Sequence, residues 1–574
     1  MKFVAREPHE ASLLELCRAG VHPVLARLWS ARGIRSAQET ELDLKHLLPP
    51  NTLLNCNRGA SYLLKALREQ KKLLIVADYD CDGATACAVG IRGLKELGAP
   101  LNVHVDYLVP NRFTMGYGLT PEVVEQAAGL AIRPDILITV DNGIASHSGI
   151  EYAHQLGMEV LVTDHHLPGD SLPPALIINP NQPECPFASK ALAGVGVMFY
   201  LLIALRSLMR EEGFFTKENQ PRLEKLLDLV ALGTVADVAS LDRNNRIFVH
   251  HGIKRIREHQ MQSGIKALYQ VAGRDPSQAT AFDLGFTLGP RLNAAGRLAD
   301  MSLGIRCLLS DDPQESLALA QELDRMNRER RHIEADMQND AWEDLQSIDA
   351  TRNSICLMNE SWHQGVIGIV ASRIKERFYR PTIIFAPGED QGQPILKGSG
   401  RSIVGFHLRD ALDMVAKRHP HLILKFGGHA MAAGLSIPTH AWEDFQVAFE
   451  KVAQELLNED LLARQLHHDG CLQDDEISPA LADLLRQQVW GQGFAQPVFI
   501  GDFEVISQSL VQDKHLRVQV RSLTEPHAKV WGGIWFGRTQ SLERESRLAY
   551  RLAYDEFGGT PRAQLHIEAC EEVV

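Results

Sequence analysis

The chain has no cysteine arrangement that could staple it. Its nine cysteines among 574 residues form an odd set with no closely spaced pair, which excludes a disulfide framework or a cysteine-built zinc site and points to a reducing, cytoplasmic setting. No apolar run approaches the roughly eighteen residues of a membrane span, and the N-terminus shows no charged-then-apolar leader. Internal repeats and low-complexity tracts are also missing. The chain lacks the basic excess expected of a protein that coats nucleic acid: Lys and Arg total 59 against 72 Asp and Glu, a formal net charge of −13. A local basic groove is compatible with that total, whereas indiscriminate duplex binding is not. With 45% hydrophobic residues, the chain is long enough for several domains with real cores.

What the sequence does have is acid at the ends of buried strands. Leu73, Leu74, Ile75 and Val76 form a continuous apolar run of strand length, followed by Asp78, Asp80 and Asp82 alternating in one loop and a helical stretch from Gly83. Ile136 to Val140 precede Asp141 in the same way, and Val160 to Val162 precede Asp164, His165 and His166. Ligands of open α/β sheets bind outside the carboxyl ends of the strands, so the three clusters should converge there. One Asp after a strand is commonly only a helix N-cap. Three such clusters in consecutive βα units point instead to a site. Carboxylates this close repel one another unless cations neutralise them. Hard oxygens with one or two imidazoles and no thiolate pair suit Mg²⁺ or Mn²⁺, which predicts a site for two ions. Cys81, inside the first loop, reads as a bystander. The apolar stretch 226–236 reads as a helix that stops at Gly233 and presents Asp237, with Asp228 as a solvated or capping group.

The second half reads as another α/β unit. Strands are expected at 354–357 and 382–385, a helix at about 365–378, and glycine-rich turns at 398–402 and 426–429. Glycines 398, 400, 427 and 428 could admit phosphate oxygens to backbone N–H groups, with Arg401 as a bidentate fork beside His429. Between the halves, Leu319, Leu323, Met326, Ile333, Met337, Ala341 and Leu345 recur at helical spacing over 312–347, in one long helix or two in tandem. Arg325, Arg328, Arg330 and Arg331 on it line a nucleic-acid path or a solvated face. Beyond about residue 458, alternation at Leu516, Val518 and Val520 predicts half-buried strands of a small β-barrel, with Phe494, Phe503, Trp531, Trp535 and Phe536 as stacking or core aromatics.

These motifs resemble the DHH phosphoesterase superfamily, and within it the bacterial exonucleases of single-stranded DNA. The resemblance covers the acidic motifs, then PNRFTMGYG at 110–118, GPRLNAAGRL at 289–298, WHQGVIGIVASR at 362–373, GSGRS at 398–402 and KFGGHAMAAG at 425–434, in family order. It implies a parallel-sheet catalytic domain and a second, DHH-associated α/β domain joined by a long helix, plus a C-terminal OB-like barrel. The expected divisions are an N-terminal helical segment at 1–50, the catalytic domain at 51–310, the connecting helix at 311–348, the associated domain at 349–457 and the barrel at 458–574. It further implies that Asp80, Asp82, Asp141, His165 and Asp237 bind metal, with Asp141 as the bridge. Pyrophosphatase relatives carry a histidine where this chain has Val76, which leaves Asp78 to take its place. Asp164 and His166 complete the catalytic set, with His166 toward the scissile phosphate. Arg112, Tyr117, Arg291, Asn293, Arg297, Ser399, Arg401, Gly428 and His429 are implied to bind nucleic acid.

The implied activity is 5′→3′ hydrolysis of single-stranded DNA in recombination and repair, with single-strand-binding protein and a helicase as partners. Two divalent ions about 3.5–4 Å apart can activate a water and stabilise the attacking and leaving oxygens of an in-line displacement. A DHH phosphodiesterase of short oligoribonucleotides or cyclic dinucleotides is the enzyme alternative, though such relatives usually stop after the second lobe. A replication-fork scaffold is the non-enzyme alternative, and the intact acidic motifs argue against it.

Overall fold

In the computed structural model, which describes residues 1–111, 115–346, 352–390, 392–524, 529–556 and 559–572, the apolar runs ending near Ala77, Val140 and Thr163 are strands buried along almost their whole length. Such strands need cover on both faces. They find it in a five-stranded parallel sheet ordered His104–Leu108, Lys72–Ala77, Ile136–Val140, Glu159–Thr163, Leu176–Ile178. Helices Pro121–Ala128 and His147–Gln155 cover one face, where Val123, Val124, Ile150 and Ala153 share a core with Leu74, Val76, Leu137 and Val162. Helix Cys81–Gly98 lies on the other: a Cβ on Gly90 would stand 2.7 Å from Ile75 Cδ1 and 3.1 Å from Met198 Cε, so only glycine permits this approach to sheet and neighbouring helix. The first strand has the second on one side and the third on the other. Strand order therefore reverses beside Lys72–Ala77, which opens a crevice at its carboxyl end.

The chain divides into two compact units, Ala5–Asp324 with His467–Val574, and Met1–Val4 with Arg325–Leu466. The parallel sheet and the C-terminal barrel thus belong to one unit. Within it Arg32 holds Asp469 by a two-pronged ion pair at 2.7 and 2.9 Å, just ahead of the barrel. The first fifty residues are not purely helical, since strand Lys2–Ala5 precedes helices Glu10–Arg18 and Pro23–Ser30 and a run of short 3₁₀ turns. The barrel closes in the order Phe499–Val511, His515–Ser522, Val530–Trp535, Arg562–Glu572, Glu545–Asp555. Leu516, Val518 and Val520 point into it as the alternation predicts. Phe494 and Phe503 are buried core residues, whereas Phe536 is exposed.

In the other unit a mixed sheet runs Lys425–Gly428, Ala432–Pro438, Gln393–Arg401, Thr382–Asp390, Ile355–Met358, and only the last pair is parallel. The glycine-rich segments at 398–401 and 425–428 are strands here, not the expected turns. Gly398 serves packing: a Cβ there would lie 2.5 Å from the Phe385 ring and 2.7 Å from Leu435.

Pro313–Gln346 is one uninterrupted 34-residue helix, starting in the first unit and ending in the second. Leu319, Leu323, Met326, Met337 and Ala341 are its buried stripe. Two of its arginines are engaged along the helix itself, Arg330 being buried against Glu334 and Asn327, and Arg325 paired with Glu329 at 3.2 Å. Among the described residues no helix is long and apolar enough to cross a membrane.

Arg291 corrects a further expectation. It is buried, and its guanidinium meets Asp324 at 2.9 Å and the Thr287 carbonyl, so it locks the long helix to the catalytic unit rather than facing a ligand. Removing one partner of a buried pair strands the other charge. Arg291→Ala is expected to lower stability by about 3–5 kcal/mol in urea unfolding; unchanged stability with weakened nucleic-acid binding would return Arg291 to the binding surface.

Candidate metal centre

The crevice collects the predicted groups. Asp78, Asp80 and Asp82 follow the first strand, Asp141 the third, and Asp164, His165 and His166 the fourth, while Asp237 caps the carboxyl end of helix Leu227–Ala236. That helix runs straight through Gly233, contrary to the expected stop. Glycine is there for space, since a Cβ would lie 2.2 Å from Thr85 Oγ1 and 2.8 Å from Asp82 Oδ1. Asp228 is not solvated either: it is buried and accepts from the Gln262 and Leu229 amides at 2.6 and 2.9 Å, a structural bracket away from the site.

Three overlapping sets offer ligand atoms within 4.8 Å of one another: Asp78 with Asp80 and Asp141, Asp141 with His165 and His166, and Asp82 with His165 and Asp237. Asp141 and His165 each belong to two sets, as shared ligands of a two-ion centre would. Asp141 Oδ1 and His165 Nε2 are buried, have no hydrogen-bond partner among the described residues and lie 3.1 Å apart. Buried polar atoms are ordinarily satisfied, so an orphaned acceptor facing an orphaned imidazole nitrogen calls for a cation between them. Asp141 is also held at φ 63°, a left-handed backbone conformation uncommon outside glycine. The hard oxygens and neutral imidazole fit Mg²⁺ or Mn²⁺.

Electrostatics agree with that donor set. Burial first, and then the charge of Asp80, push Asp82 up to about 7. Burial and the neighbouring carboxylates, Asp82 foremost, likewise raise Asp141 and Asp237 well above the usual range. Burial and the charge of His166 press His165 down to about 4, leaving it neutral with Nε2 free, while a backbone hydrogen bond at Leu192 steadies the ring. His166 goes the other way. Burial opposes its charge, but the hydrogen bond and charge of Asp164, then Asp78 and Asp237, hold it up at about 9. It therefore keeps a proton at neutral pH, on a ring still partly exposed.

The frame around these groups uses residues that sequence reasoning passed over. Asp82 accepts the Gly194 and Val195 amides at 2.6 and 2.9 Å, the first donors of helix Gly194–Glu211. A Cβ on Gly194 would lie 2.7 Å from Asp141 Oδ1. Asp164 spends both oxygens on protein donors, namely the His165 and His166 amides, the His166 ring and the Ile144 amide, so it positions rather than ligates. Asn179 and Asn181 hold the carbonyls of His166 and His165 at 2.9 and 2.6 Å. The N-P-N run directly after a strand was the one available signal for them. Asn293 accepts from the Cys81 amide at 2.7 Å, which ties GPRLNAAGRL to the first acidic loop. Tyr117 is exposed, its hydroxyl donating to the Asp141 carbonyl at 3.3 Å beside the His166 ring. Arg297 is half-buried on the same helix as Asn293, and Arg112 lies outside the described residues.

In the other unit Ser399 and Arg401 project from one strand, Arg401 donating to Ser399 Oγ at 3.2 Å and the Gly400 carbonyl at 2.8 Å. Both face the first turn of helix Ile367–Phe378, where a Cβ on Gly368 would touch Ser399 Oγ and Arg401 Nη2. Burial lowers the Arg401 pKa, and no carboxylate among the described residues pairs with it. A poorly hydrated cation at a helix N-terminus is an anion cradle. Gly428, at φ 139°, and His429 belong to the neighbouring hairpin; the ring of His429 accepts from the Met431 amide at 3.2 Å.

Residues 72–234 match the DHH family N-terminal domain, 352–458 the DHHA1 domain and 468–569 the RecJ OB domain. The single-stranded-DNA-specific exonuclease RecJ of Salmonella typhimurium is 48% identical over 563 residues, 96% of each chain. The chain belongs to the RecJ family. The RecJ of Thermus thermophilus is 33% identical over 84% of this chain and 66% of its own length. The crystal structure of a Thermus thermophilus RecJ in complex with Mn²⁺ superposes with a TM-score of 0.81 at 29% identity, covering 100% of this chain and 79% of that one. A further RecJ structure, titled as bound to manganese, covers 71% of this chain and 96% of its own at 34% identity and a TM-score of 0.58.

Protons that burial keeps on Asp82, Asp141 and Asp237 must leave when cations bind. Mn²⁺ affinity is therefore expected to fall as pH drops through about 7, with proton release visible in calorimetric titrations run in buffers of different ionisation enthalpy. Stability without cations should slope oppositely. A carboxyl whose folded pKa is raised is favourable while protonated, so its contribution is present at low pH and lost as pH rises toward about 7. An affinity for Mn²⁺ that is flat across this range would contradict the shared-carboxylate centre.

Proposed function

We propose that this protein hydrolyses phosphodiester bonds of single-stranded DNA from the 5′ end, with two Mg²⁺ or Mn²⁺ ions, in recombination and repair. The observation that carries the chemistry is the buried, unpartnered pair Asp141 Oδ1 and His165 Nε2 within overlapping carboxylate sets. Its extension to DNA rests on full-length similarity to single-stranded-DNA-specific exonucleases. A small-substrate phosphodiesterase is not favoured, because the match continues through the barrel.

Asp78, Asp80, Asp82, Asp141, His165 and Asp237 would hold the ions, with Asp141 between them. The ions supply Lewis acidity and an activated water for in-line displacement. The remaining work falls to the chain's own groups. His166, kept protonated by Asp164, sets a positive charge beside the scissile phosphate, where negative charge grows in the transition state. Asp164 holds that proton on the ring and fixes both histidine amides, so the imidazoles keep their aim. Tyr117 steadies the Asp141 backbone at its uncommon φ. Ser399 and Arg401 receive a terminal phosphate, consistent with an unpaired guanidinium facing a helix N-terminus. Single-strand-binding protein and a helicase are the proposed partners, on the family resemblance.

A single-stranded oligonucleotide labelled separately at each end, with EDTA, Mg²⁺ or Mn²⁺, is expected to lose its 5′ label first and only with metal; release from the 3′ end would overturn the polarity. Asp141→Ala should lower turnover by about a thousandfold or more, roughly 4 kcal/mol of barrier, with unfolding behaviour intact. Arg401→Ala should raise KM by about ten- to a hundredfold while single-turnover cleavage at saturating DNA changes little. Equal loss in both would place Arg401 in the chemistry instead.

A further inference from the structure

Phe282 and Phe286 sit side by side on the surface, 53% and 69% exposed, their rings stacked at 4.8 Å between centroids and 22° between planes. Nothing in the core or the metal centre uses them. Two large apolar rings held against water in parallel need an occupant to explain them. Their backbone is also unusual. Asp283–Leu288 is a turn of π-helix, a conformation less stable than α-helix that recurs at functional sites. The wider π turn places the two rings on one face and Gly285 and Gly289 on another. Those glycines pack on helix Leu227–Ala236, where a Cβ on Gly285 would stand 3.1 Å from Val235 Cγ1 and one on Gly289 3.1 Å from Ala236 Cβ. The next residue along that helix is Asp237 of the metal centre. The π turn then runs on into helix Gly289–Leu298, whose Asn293 holds the acidic loop. The aromatic pair thus sits on a turn that packs against one helix of the site and runs on into the other.

Two arginines anchor the segment that leads into the pair. Arg257 donates to the Ala279 carbonyl at 2.8 Å, three residues before Phe282, and Arg486 donates to the Gln278 side chain. Arg486 pairs with Asp483 at 2.5 Å and also lies 4.6 Å over the ring of Tyr554, on the barrel. His250, Lys254 and Arg257 line one recess with Gln487 and with Glu258, which stands 4.0 Å from Lys254 Nζ. Aromatic rings interleaved with positive charge, leading from a nuclease centre to a barrel, are the chemistry that holds an unpaired strand by its bases and backbone together.

We propose that Phe282 and Phe286 form a base-stacking platform that positions the single-stranded substrate as it leaves the metal centre toward the barrel. This rests on the single-stranded-DNA reading above and deepens it. Stacking recognises the flat face of any base, so the platform would give grip without sequence preference, and it would be closed to paired bases whose faces are already covered.

The test compares KM and kcat of the full-length protein on a normal single strand and on the same strand carrying abasic residues near the cleaved end. With the platform, the wild type binds the base-bearing strand more tightly. Phe282→Ala and Phe286→Ala should each raise KM for the base-bearing strand by about tenfold and leave KM for the abasic strand unchanged. Phe286→Trp, which keeps a stacking face, should restore the wild-type value, and thermal unfolding of each variant checks the fold. An equal rise for both strands, or no rise for either, would overturn the platform and leave the rings to a protein partner. A wild type that cleaves no single-stranded DNA with either metal would remove the functional reading itself, and the platform with it.

Discussion

Carboxylates that converge in a buried crevice cannot all ionise beside one another, and the rest of this structure is organised around that constraint. Asp78, Asp80, Asp82, Asp141 and Asp237 arrive from two loops and a helix end, and the neighbouring charges raise the cost of ionising Asp141 and Asp237. The protein offsets part of that cost with dipoles, since Asp82 rests on the first amides of helix Gly194–Glu211 and Asp80 caps helix Cys81–Gly98. It leaves the remainder to divalent cations. Within one dipeptide, burial and the charge of His166 push the His165 pKa down, whereas the hydrogen bond and charge of Asp164 hold that of His166 up. Two adjacent imidazoles thereby differ, one leaving a buried nitrogen without a hydrogen bond and the other bonded to a carboxylate.

Close approach is the second requirement. Five carboxylates can be brought together only where neighbouring backbone comes near enough to supply donors, and Gly194 and Gly233 are the places where a side chain would stand in the way. Asp80 caps its helix through one oxygen, which accepts two amides, and this leaves its place in the carboxylate cluster intact. Local helix energetics and catalysis are not competitors here.

The sheet, the acidic loops, the long helix and the barrel were all legible because each rests on a local signal: buried runs, a 3.6-residue stripe, strict alternation. The misreadings share one cause. Arg291 and Arg330 looked like cations for a nucleic acid, and the structure buries both against carboxylates that pattern alone could not assign to them. The glycines near 398 looked like a phosphate-binding turn and proved to be spacers in a strand, because the ring of Phe385 that they accommodate sits on a neighbouring strand. Phe494 and Phe503 looked equally able to stack on bases as Phe536, and burial separated them.

By itself, then, the sequence determined which residue types stand at strand ends, and hence that hard cations and phosphate chemistry belong to this chain. Ligand identity follows from composition and spacing, which are local. Only the tertiary structure decided that Asp141 and His165 each fall in two of the overlapping sets, that Asp164 spends its oxygens on protein donors, and that Phe282 and Phe286 remain in water. Those distinctions depend on which distant backbone arrives to donate, bury or leave a group unpaired. That is settled by packing between elements far apart in the chain, and no short window of sequence contains it.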